Sequence, residues 1–377
     1  MTETINSTPL LGMTLAELRN VAETCGMPLF AAKQMLDWIY KKGVMSTSEM
    51  TNLSKTSREK LAENYVIGAK EFVDVQDSRD GTRKFLFPAS CGGLVETVYI
   101  PDGQRATVCV SSQVGCKMHC AFCLTGKQGF TGQLTTSDIL NQIYSLPERE
   151  KITNIVFMGQ GEPLDNYDNV AKAIEILTSE DGFAMSPKRI TLSTCGILPA
   201  LKKIVRESRC NIAISLHSPY HEERMEIMPI EKAYEVSEVV KYLKTCEEFR
   251  DIRGGRARET SHQRRLSFEY VLLKDKNDSQ KHASDIAAML KGLDCRVNVI
   301  PFHTYKGGEF KSPAHADAEA FCELLCRRGL NATAPFARAG HIGGMRNVGG
   351  KTQERRSRKG KRRLNTRAAT PHKLFYM

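Results

Sequence analysis

The feature that most constrains the fold of this chain is a regular alternation of strand-like and helix-like segments between residues 153 and 301. The helix-like segments space their apolar residues at three and four, whereas the strand-like ones are short and rich in β-branched residues. Repeated β-α units of this kind predict a parallel sheet with helices packed outside it. About six such units predict an α/β fold in the form of an incomplete (β/α)6 TIM-like barrel, short of eight closed strands. The strand-like runs are T-N-I-V-F-M, R-I-T-L-S-T, N-I-A-I-S-L, L-S-F-E-Y-V-L-L and R-V-N-V-I-P, which we take as the last strand.

Other patterns flank this core. The stretches L-A-E-L-R-N-V-A and A-A-K-Q-M-L-D-W-I-Y are helical patterns, with Thr14 and Glu17 as a predicted capping box and Gly43 as a helix stop. Short strand-like runs broken by D-G and G-G pairs follow them along the chain. We therefore expect a small N-terminal helical accessory domain at 1–68, a β-rich connector at 69–101, the α/β core at 102–333 and an atypical basic tail at 334–377.

The composition excludes several classes of protein. With 377 residues and 41% hydrophobic content, the chain can build one large domain and a small accessory one. Its 12 cysteines are too sparse for a disulfide scaffold, no apolar run is long enough to span a bilayer, and the first residues lack the layout of a signal peptide. We therefore expect a cytoplasmic protein without a membrane partner, whose grouped cysteines serve a metal or catalysis.

The formal net charge of +11 points at first to a nucleic-acid partner. From Lys351 onward, however, the chain holds ten Lys or Arg residues and one acidic residue. Runs such as R-R-S-R-K-G-K-R-R are typical of solvated segments. The charge therefore says little about what the folded part of the chain binds.

Three cysteines are grouped in the segment G-C-K-M-H-C-A-F-C, where Cys116, Cys120 and Cys123 have the spacing C-x3-C-x2-C. Thiolates are the ligands that iron–sulfur clusters and zinc prefer. A structural zinc site needs a fourth ligand nearby, and His119 supplies one only if its ring folds back between its own neighbours. The spacing therefore favours an iron–sulfur cluster with one open coordination position over a closed zinc site.

Polar groups follow several of the predicted strands. The loop G-Q-G-E-P comes after T-N-I-V-F-M, and Ser193, Ser215 with His217, and His303 come at or after the ends of three later strands. Because chemistry in α/β folds collects at the carboxyl ends of parallel strands, we expect these groups to meet on one face.

These motifs resemble the radical S-adenosylmethionine (SAM) superfamily and, within it, the RlmN group. The similarity is carried by C-V-S-S-Q-V-G-C-K-M-H-C-A-F-C-L-T-G-K-Q-G-F, V-F-M-G-Q-G-E-P-L-D-N, L-S-T-C-G and A-I-S-L-H-S-P, and it extends from about Leu10 to Thr333. The resemblance implies a barrel of the radical SAM type with two cofactors, a 4Fe–4S cluster and S-adenosyl-L-methionine, which takes the open iron. It also implies methylation of C2 of adenosine in 23S rRNA and tRNA, with an electron donor such as flavodoxin.

The resemblance also implies roles for individual residues, with Cys116, Cys120 and Cys123 as the cluster ligands. Glu96 would act as a base, and Cys109 as the thiol that resolves a methylated intermediate. Without the resemblance, Glu96 is read as an ordinary edge-strand carboxylate and Cys109 as a buried thiol. The residues that would bind S-adenosyl-L-methionine are Gly161 and Glu162 at its amino end, and Ser193, Ser215, Leu216, His217 and His303 around the rest of it.

The mechanism that the resemblance implies uses two cysteines and one base. C2 of adenine is an electron-poor carbon and a poor nucleophile for ordinary methyl transfer. In the family, a carrier cysteine is therefore methylated first, and its methyl group is then activated by hydrogen abstraction and added to C2. The base removes a proton, and the second thiol attacks sulfur to release the product.

The sequence departs from the family at this carrier cysteine, which belongs to a C-terminal motif like R-G-x-D-I-x-A-A-C-G. The corresponding stretch here is A-R-A-G-H-I-G-G-M-R-N-V-G-G, with Met345 or Arg346 at the place of the cysteine, and no cysteine follows Cys326. Neither side chain can accept and return a methyl group in this way. Two alternatives therefore stay open, a catalytically impaired RNA-binding paralogue and a radical methyltransferase that acts on C8 of adenine.

We hypothesise that the chain is translated out of frame from about residue 334. When codons for Phe336–Gly349 are read one nucleotide later, the allowed products include S-R-G-Q-D-I-S-A-A-C-G-M-L-A, in which ATG-CGN for Met345 and Arg346 gives the cysteine codon TGC. Sequencing the 3′ end of the gene tests this prediction, and a clean read without a shift removes it. The chain as written is then expected to bind the cluster and S-adenosyl-L-methionine with little or no methylation of RNA.

Overall fold

The computed structural model describes residues 7–250, 264–305 and 308–334. The basic tail expected at 334–377 lies outside these ranges except for Ala334, and so do Met345 and Arg346. Within the described ranges, no helix combines the length and the apolar content that a crossing of a lipid bilayer requires.

The described residues form strands and helices in alternation from the middle of the chain onward. The strands are β1 (Thr8–Pro9), β2 (Tyr65–Val66), β3 (Asp74–Asp77), β4 (Arg83–Pro88), β5 (Leu94–Asp102), β6 (Arg105–Cys109), β7 (Gln113–Gly115), β8 (Phe130–Gln133), β9 (Asn154–Phe157), β10 (Ile190–Thr194), β11 (Asn211–Ser215), β12 (Leu266–Leu272), β13 (Cys295–Pro301) and β14 (Asn331–Thr333). The α-helices are α1 (Leu15–Thr24), α2 (Ala31–Leu36), α3 (Lys55–Asn64), α4 (Leu124–Lys127), α5 (Thr136–Tyr144), α6 (Tyr167–Thr178), α7 (Leu198–Glu207), α8 (His221–Ile227), α9 (Val236–Thr245), α10 (Gln280–Leu290) and α11 (His315–Arg327). A π-helical turn continues α2 at Asp37–Lys42, and 3-10 turns lie at Thr47–Glu49, Arg149–Lys151, Pro163–Asn166, Pro187–Arg189, Pro229–Lys232 and Glu247–Phe249.

Ten strands form one sheet in the order β14-β13-β12-β11-β10-β9-β6-β5-β4-β3. The strands from β6 through β9 to β14 pair in parallel, whereas β3, β4, β5 and β6 pair antiparallel. Among the described residues, β3 and β14 do not pair with each other, so the sheet stays open as an incomplete barrel. The prediction of this fold is confirmed, but taking R-V-N-V-I-P as the last strand was wrong, because the three-residue β14 follows it.

The amino-terminal segment forms the helices that its local signals predict. The Thr14 side chain accepts a hydrogen bond from the Glu17 backbone, and Glu17 reaches back to the Thr14 backbone N–H, which completes the capping box. Gly43 ends the second helix in the left-handed conformation. The helices share one continuous hydrophobic core with the α/β part of the chain, and the Tyr144 hydroxyl donates to the carbonyl of Val44.

The stretch expected to be a β-rich connector adds antiparallel strands to the core sheet. β4 pairs with β5 over six residue pairs, and β5 pairs with β6, the first parallel strand. The α/β sheet and its antiparallel extension are therefore continuous, and β5 is the strand that carries Glu96.

A short hairpin holds the cysteine loop against the barrel. β7 pairs antiparallel with β8, and the Cys116 backbone N–H donates to the carbonyl of Gly129 at 2.9 Å. Gly115 has φ = +78°, and a Cβ at this residue would lie 1.9 Å from the Gly129 carbonyl oxygen. Only glycine permits this close approach of two backbones.

Substitution of Gly115 by alanine tests the role of this contact. Gly92 is a matched control, because it also has a positive φ (+89°) but a Cβ at this residue would meet no atom within 4 Å. We expect Gly92→Ala to cost about 1–2 kcal/mol of unfolding free energy from backbone conformation alone. Gly115→Ala should cost about 1–3 kcal/mol more, because β7 and β8 must also separate. Urea unfolding of both variants measures the difference, and equal losses would contradict the close-contact explanation.

Candidate active site

A cavity of about 250 Å³ opens at the carboxyl ends of the parallel strands. Most of the predicted site residues line it, although they come from six separate segments of the chain. The predicted residues in its wall are Glu96, Cys109, Cys116, Cys120, Cys123, Gly161, Glu162, Ser193, Ser215 and His217. Leu216 and His303 are not among its lining residues.

The strand register explains why these residues meet. Cys109 of β6 pairs with Val156 of β9, and Ser215 of β11 pairs with Glu269 of β12. Cys109 and Ser215 are the last residues of β6 and β11, and each of these strands has a parallel neighbour with which it pairs here. The polar ends of consecutive parallel strands therefore come together at one edge of the sheet.

The three cysteines lie on a tight loop between β7 and α4. The Cys123 backbone N–H donates to the Cys120 carbonyl at 3.0 Å, and the Ala121 N–H donates to the carbonyl of Ile227 at 2.9 Å. Burial raises the pKa of the Cys116 thiol to about 12, and burial also raises the pKa of Cys120 and of Cys123. Binding of a metal here must therefore release thiol protons.

The geometry of the loop bears on the kind of metal group that fits. His119 has φ = +53°, and its ring Nδ1 lies 3.2 Å from the Gly126 carbonyl oxygen. Within the ranges that the structure describes, no three His, Cys, Asp or Glu side chains converge on the position of a single metal ion. A cluster of several irons accepts each thiolate at a different iron, so its ligands need not converge on one point. Three thiols on one loop are soft donors of the kind that iron–sulfur clusters take.

Glu162 lies in the G-Q-G-E-P loop, almost fully buried. Its carboxylate accepts the Cys195 N–H at 2.8 Å and the Leu164 N–H at 2.9 Å. Burial nevertheless raises the pKa of this carboxyl above its usual range. Gly161 has φ = +96°, and a Cβ there would lie 2.4 Å from Cβ of Gln113, so the sequence needs glycine before the glutamate.

His217 occupies the strained turn after β11. Its φ is +56°, and its Nδ1 accepts the Val271 N–H at 2.9 Å. Burial lowers the pKa of this imidazole to about 3, and the nearby charge of Arg224 adds to the effect. His217 is therefore a neutral imidazole in the folded protein.

Leu216 and His303 take other positions. The Leu216 side chain belongs to the hydrophobic core, while its backbone N–H donates to the Glu269 carbonyl at 2.9 Å. His303 follows β13 in a partly buried position. Any contact of Leu216 with a ligand must therefore come through its backbone.

Glu96 and Cys109 lie on the antiparallel side of the cavity. Lys84 Nζ donates to Glu96 Oε1 at 3.1 Å, and the Lys84 side chain is only 3% exposed. Burial raises the pKa of the Cys109 thiol to about 12, and the Glu96 charge adds to it. The sequence did not single out Lys84, although it lies in the strand-like run K-F-L-F-P.

A buried arginine supports the other side of the cavity and was also missed. Arg224 of α8 is fully buried and forms an ion pair with Glu231. Its guanidinium donates to the carbonyl oxygens of Cys195 at 2.9 Å, Ser215 at 2.8 Å and Leu216 at 2.9 Å. Breaking a buried ion pair of this kind typically costs about 3–5 kcal/mol. No local pattern marks Arg224, because H-E-E-R-M-E-I resembles a surface helix.

An open parallel barrel with three cysteines on one loop and a buried glutamate at its carboxyl edge defines a radical SAM enzyme. The chain matches the radical SAM superfamily over residues 110–279 and the ribosomal RNA large subunit methyltransferase N-terminal domain over residues 8–67. The crystal structure of a radical SAM methyltransferase from Sphaerobacter thermophilus matches with a TM-score of 0.79 and 34% identity, over 88% of this chain and 96% of that one.

Sequence identity to named relatives shows to which group of radical SAM enzymes the chain belongs. The chain is 50% identical over 338 residues to the probable dual-specificity RNA methyltransferase RlmN of Parabacteroides distasonis, across 90% of this chain and 95% of that protein. It is 37% identical over 351 residues to the dual-specificity RNA methyltransferase RlmN of Pseudomonas entomophila, across 91% of this chain and 90% of that protein. The chain therefore belongs to the RlmN family of radical SAM methyltransferases. The cofactors of this family are a 4Fe–4S cluster and S-adenosyl-L-methionine.

The neutral state of His217 predicts a pH dependence of stability. The unfolded imidazole has a pKa of about 6.5, whereas the folded one has a pKa of about 3. Between these values the unfolded state binds more protons, so the stabilisation is complete above pH 6.5 and is lost as the pH falls toward 3. His217→Asn tolerates the left-handed backbone but does not titrate.

Urea unfolding of the cluster-free protein at pH 7.5 and pH 5 measures this effect. Wild type should lose about 2 kcal/mol more than His217→Asn over this interval. The control His315→Asn, at a largely exposed histidine, should keep the wild-type slope. A wild-type slope in His217→Asn would show that this imidazole does not stay neutral.

Proposed function

We propose that this chain is by lineage an RNA methyltransferase that modifies C2 of adenosine in 23S rRNA and tRNA through a methyl-cysteine intermediate. The proposal rests on one observation, that the cysteine loop and the Glu96–Cys109 pair line the same cavity. Cys116, Cys120 and Cys123 lie in its wall together with Glu96 and Cys109. A cofactor-binding thiol set therefore lies within the same space as a carboxylate and a separate thiol.

The cofactor residues divide between the two walls of the cavity. The three cysteines of the loop would hold the cluster. Gly161 and Glu162 would receive the amino end of S-adenosyl-L-methionine, because Glu162 is a buried carboxyl held by two backbone N–H groups. The remaining contacts would come from Ser193, Ser215, the Leu216 backbone, the neutral His217 and His303.

When bound together, the cluster and S-adenosyl-L-methionine supply an electron and a carbon radical that abstracts hydrogen. The protein's own residues then have simpler tasks. Lys84 holds the Glu96 carboxylate in place by an ion pair at 3.1 Å. Once the carrier's methylene is bonded to C2, the Cys109 thiolate would attack the carrier sulfur and form a disulfide as the sulfur–carbon bond breaks, so the thiol proton must leave first.

The raised pKa of Cys109 fits a thiol that stays neutral until substrate arrives. Burial in the cavity wall is the first cause of the raised pKa, and the charge of Glu96 is a further one. Transfer of a proton from C2 to Glu96 would remove that charge and make the thiolate less costly. The electrostatics of the pair therefore predict that Glu96 takes up its proton before the Cys109 thiol loses its own.

A second candidate function is an RNA-binding paralogue that keeps the cofactors but cannot complete methyl transfer. The sequence favours it in one respect, because no cysteine follows Cys326. Both candidates bind RNA, and the methyltransferase also requires a one-electron donor such as flavodoxin. They differ in whether the chain can carry the methyl group.

Mass analysis of the modified base separates the candidates. The chain as written and a version with the shifted frame after residue 334 are each incubated with 23S rRNA and tRNA transcripts under reducing, anaerobic conditions. We expect 2-methyladenosine from the shifted version and little or none from the chain as written. Glu96→Gln and Cys109→Ala in the shifted version should each lower the yield at least tenfold.

Other results would indicate a different function. Formation of 8-methyladenosine would show that the methylated carbon is C8 and not C2. No methyl product from either version, with both transcripts bound, would favour the paralogue. Methylation by the chain as written would show that the carrier lies at a residue other than the missing cysteine.

A further inference from the structure

One side chain in the cavity wall takes no part in the chemistry proposed above. Gln160 stands between the two glycines of the G-Q-G-E-P loop, is 9% exposed and lines the cavity. Its carboxamide oxygen Oε1 is buried and has no hydrogen-bond partner among the described residues. Buried amides are nearly always paired, and an unpaired one costs free energy.

Hydrogen bonds fix both the backbone N–H and the backbone carbonyl of Gln160. Its N–H donates to Ser111 Oγ at 2.9 Å, and its carbonyl accepts the N–H groups of Ser112 at 2.8 Å and Gln113 at 3.1 Å. A Cβ on Gly159 would lie 2.7 Å from Ser111 Oγ. The loop is therefore held tightly against the segment between β6 and β7, and the Gln160 side chain is directed to the cavity.

The hydrogen bonds of Ser111 connect Gln160 to the strand that carries Glu96. Ser111 Oγ accepts the Gln160 N–H and donates to the Glu96 carbonyl oxygen at 2.6 Å. One hydroxyl thus bridges the backbones of Gln160 and Glu96. The backbone of Gln160 is therefore tied through one hydroxyl to the backbone of the residue that carries the Glu96 carboxylate.

A carboxamide offers one acceptor and an adjacent donor. The N6–H and N7 edge of adenine offers the complementary pair, a donor beside an acceptor. A glutamine side chain can therefore accept from N6–H and donate to N7 at the same time. Bases that enter an active site are commonly read by hydrogen bonds to such edges. We propose that Gln160 recognises an adenine edge in this cavity and that its amide is paired only when that base is bound.

This inference rests on the proposed function and makes it more specific. Adenine can come from the target nucleotide or from S-adenosyl-L-methionine. The link from Gln160 through Ser111 to Glu96 favours the target base. A contact to N6 and N7 also leaves C2 free, because C2 lies between N1 and N3 on the far side of the ring from N7.

The test uses the full chain, reconstituted with iron and sulfide without oxygen, and the variant Gln160→Met. Three ligands are compared by equilibrium binding: S-adenosyl-L-methionine, an RNA hairpin with one unpaired adenosine, and the same hairpin with purine riboside there, which lacks the N6 amine. Wild type should prefer adenosine over purine riboside by about 5- to 150-fold. Gln160→Met should lose that preference and bind S-adenosyl-L-methionine as wild type does.

A thermal melt without ligand separates recognition from a structural role. Because the amide is unpaired in the free protein, Gln160→Met should melt no lower than wild type. Gln160→Leu serves as a second variant if the methionine does not fold. The matched control is Gln34→Met on α2, which is not among the cavity-lining residues, and it should change no binding constant.

The outcomes are distinct. A 5- to 150-fold weaker binding of S-adenosyl-L-methionine, with the hairpin preference kept, supports adenine recognition with the cosubstrate as its source. Unchanged binding of all three ligands, or a clearly lower melting temperature without ligand, overturns the inference while the proposed function stands. A wild type that binds neither S-adenosyl-L-methionine nor the hairpins overturns both.

Discussion

The parallel register of the central strands fixes where the groups at the strand ends of the candidate site lie. A strand that ended two residues earlier or later would move its terminal side chain out of the cavity. Cys109 of β6 and Val156 of β9 are paired neighbours, and so are Ser215 of β11 and Glu269 of β12. The cysteine loop adds its thiols above this edge because β7 and β8 hold it by backbone hydrogen bonds. The chemistry of the site therefore depends on backbone pairing before it depends on any single side chain.

The charged groups of the cavity wall that we describe are paired in the free protein, whereas one neutral amide oxygen is not. On one side, Glu162 is held by backbone N–H groups, and Arg224 is held by three carbonyl oxygens and Glu231. These groups are paired in the free protein, and they make the pocket rigid before any ligand arrives. On the other side, Lys84 and Glu96 are also paired, but the Gln160 side chain is left with an unpaired amide oxygen. Paired charges keep the pocket rigid, and the free amide oxygen remains available to a substrate that enters and leaves.

Much of this arrangement follows from local sequence. Thr14 and Gly43 mark helix ends because caps act through neighbouring backbone groups, and both predictions are confirmed. The strands from β9 to β13, of four to seven residues, were found because apolar residues recur along each of them. The three-residue β14 was missed, because so short a run carries no period of its own.

In the candidate site too, residues in a local sequence motif were predicted, whereas residues defined by contacts with distant segments were not. The cysteine spacing and the G-Q-G-E-P loop are visible in sequence because their residues are adjacent. Lys84 and Arg224 were not singled out, since what they contact comes from other segments of the chain. Gln160 was inside a recognised motif, but its unpaired amide is a property of burial that no sequence pattern displays.

The chemistry of this site requires three thiolates that hold an iron–sulfur cluster with one iron left open for S-adenosyl-L-methionine. Metal and sulfide analysis of anaerobically reconstituted protein, followed by electron paramagnetic resonance of the reduced sample, tests it most directly. The account predicts about four irons and four sulfides per chain, and a spectrum that changes when S-adenosyl-L-methionine is added. One zinc per chain without sulfide, or an iron–sulfur spectrum indifferent to S-adenosyl-L-methionine, would contradict it.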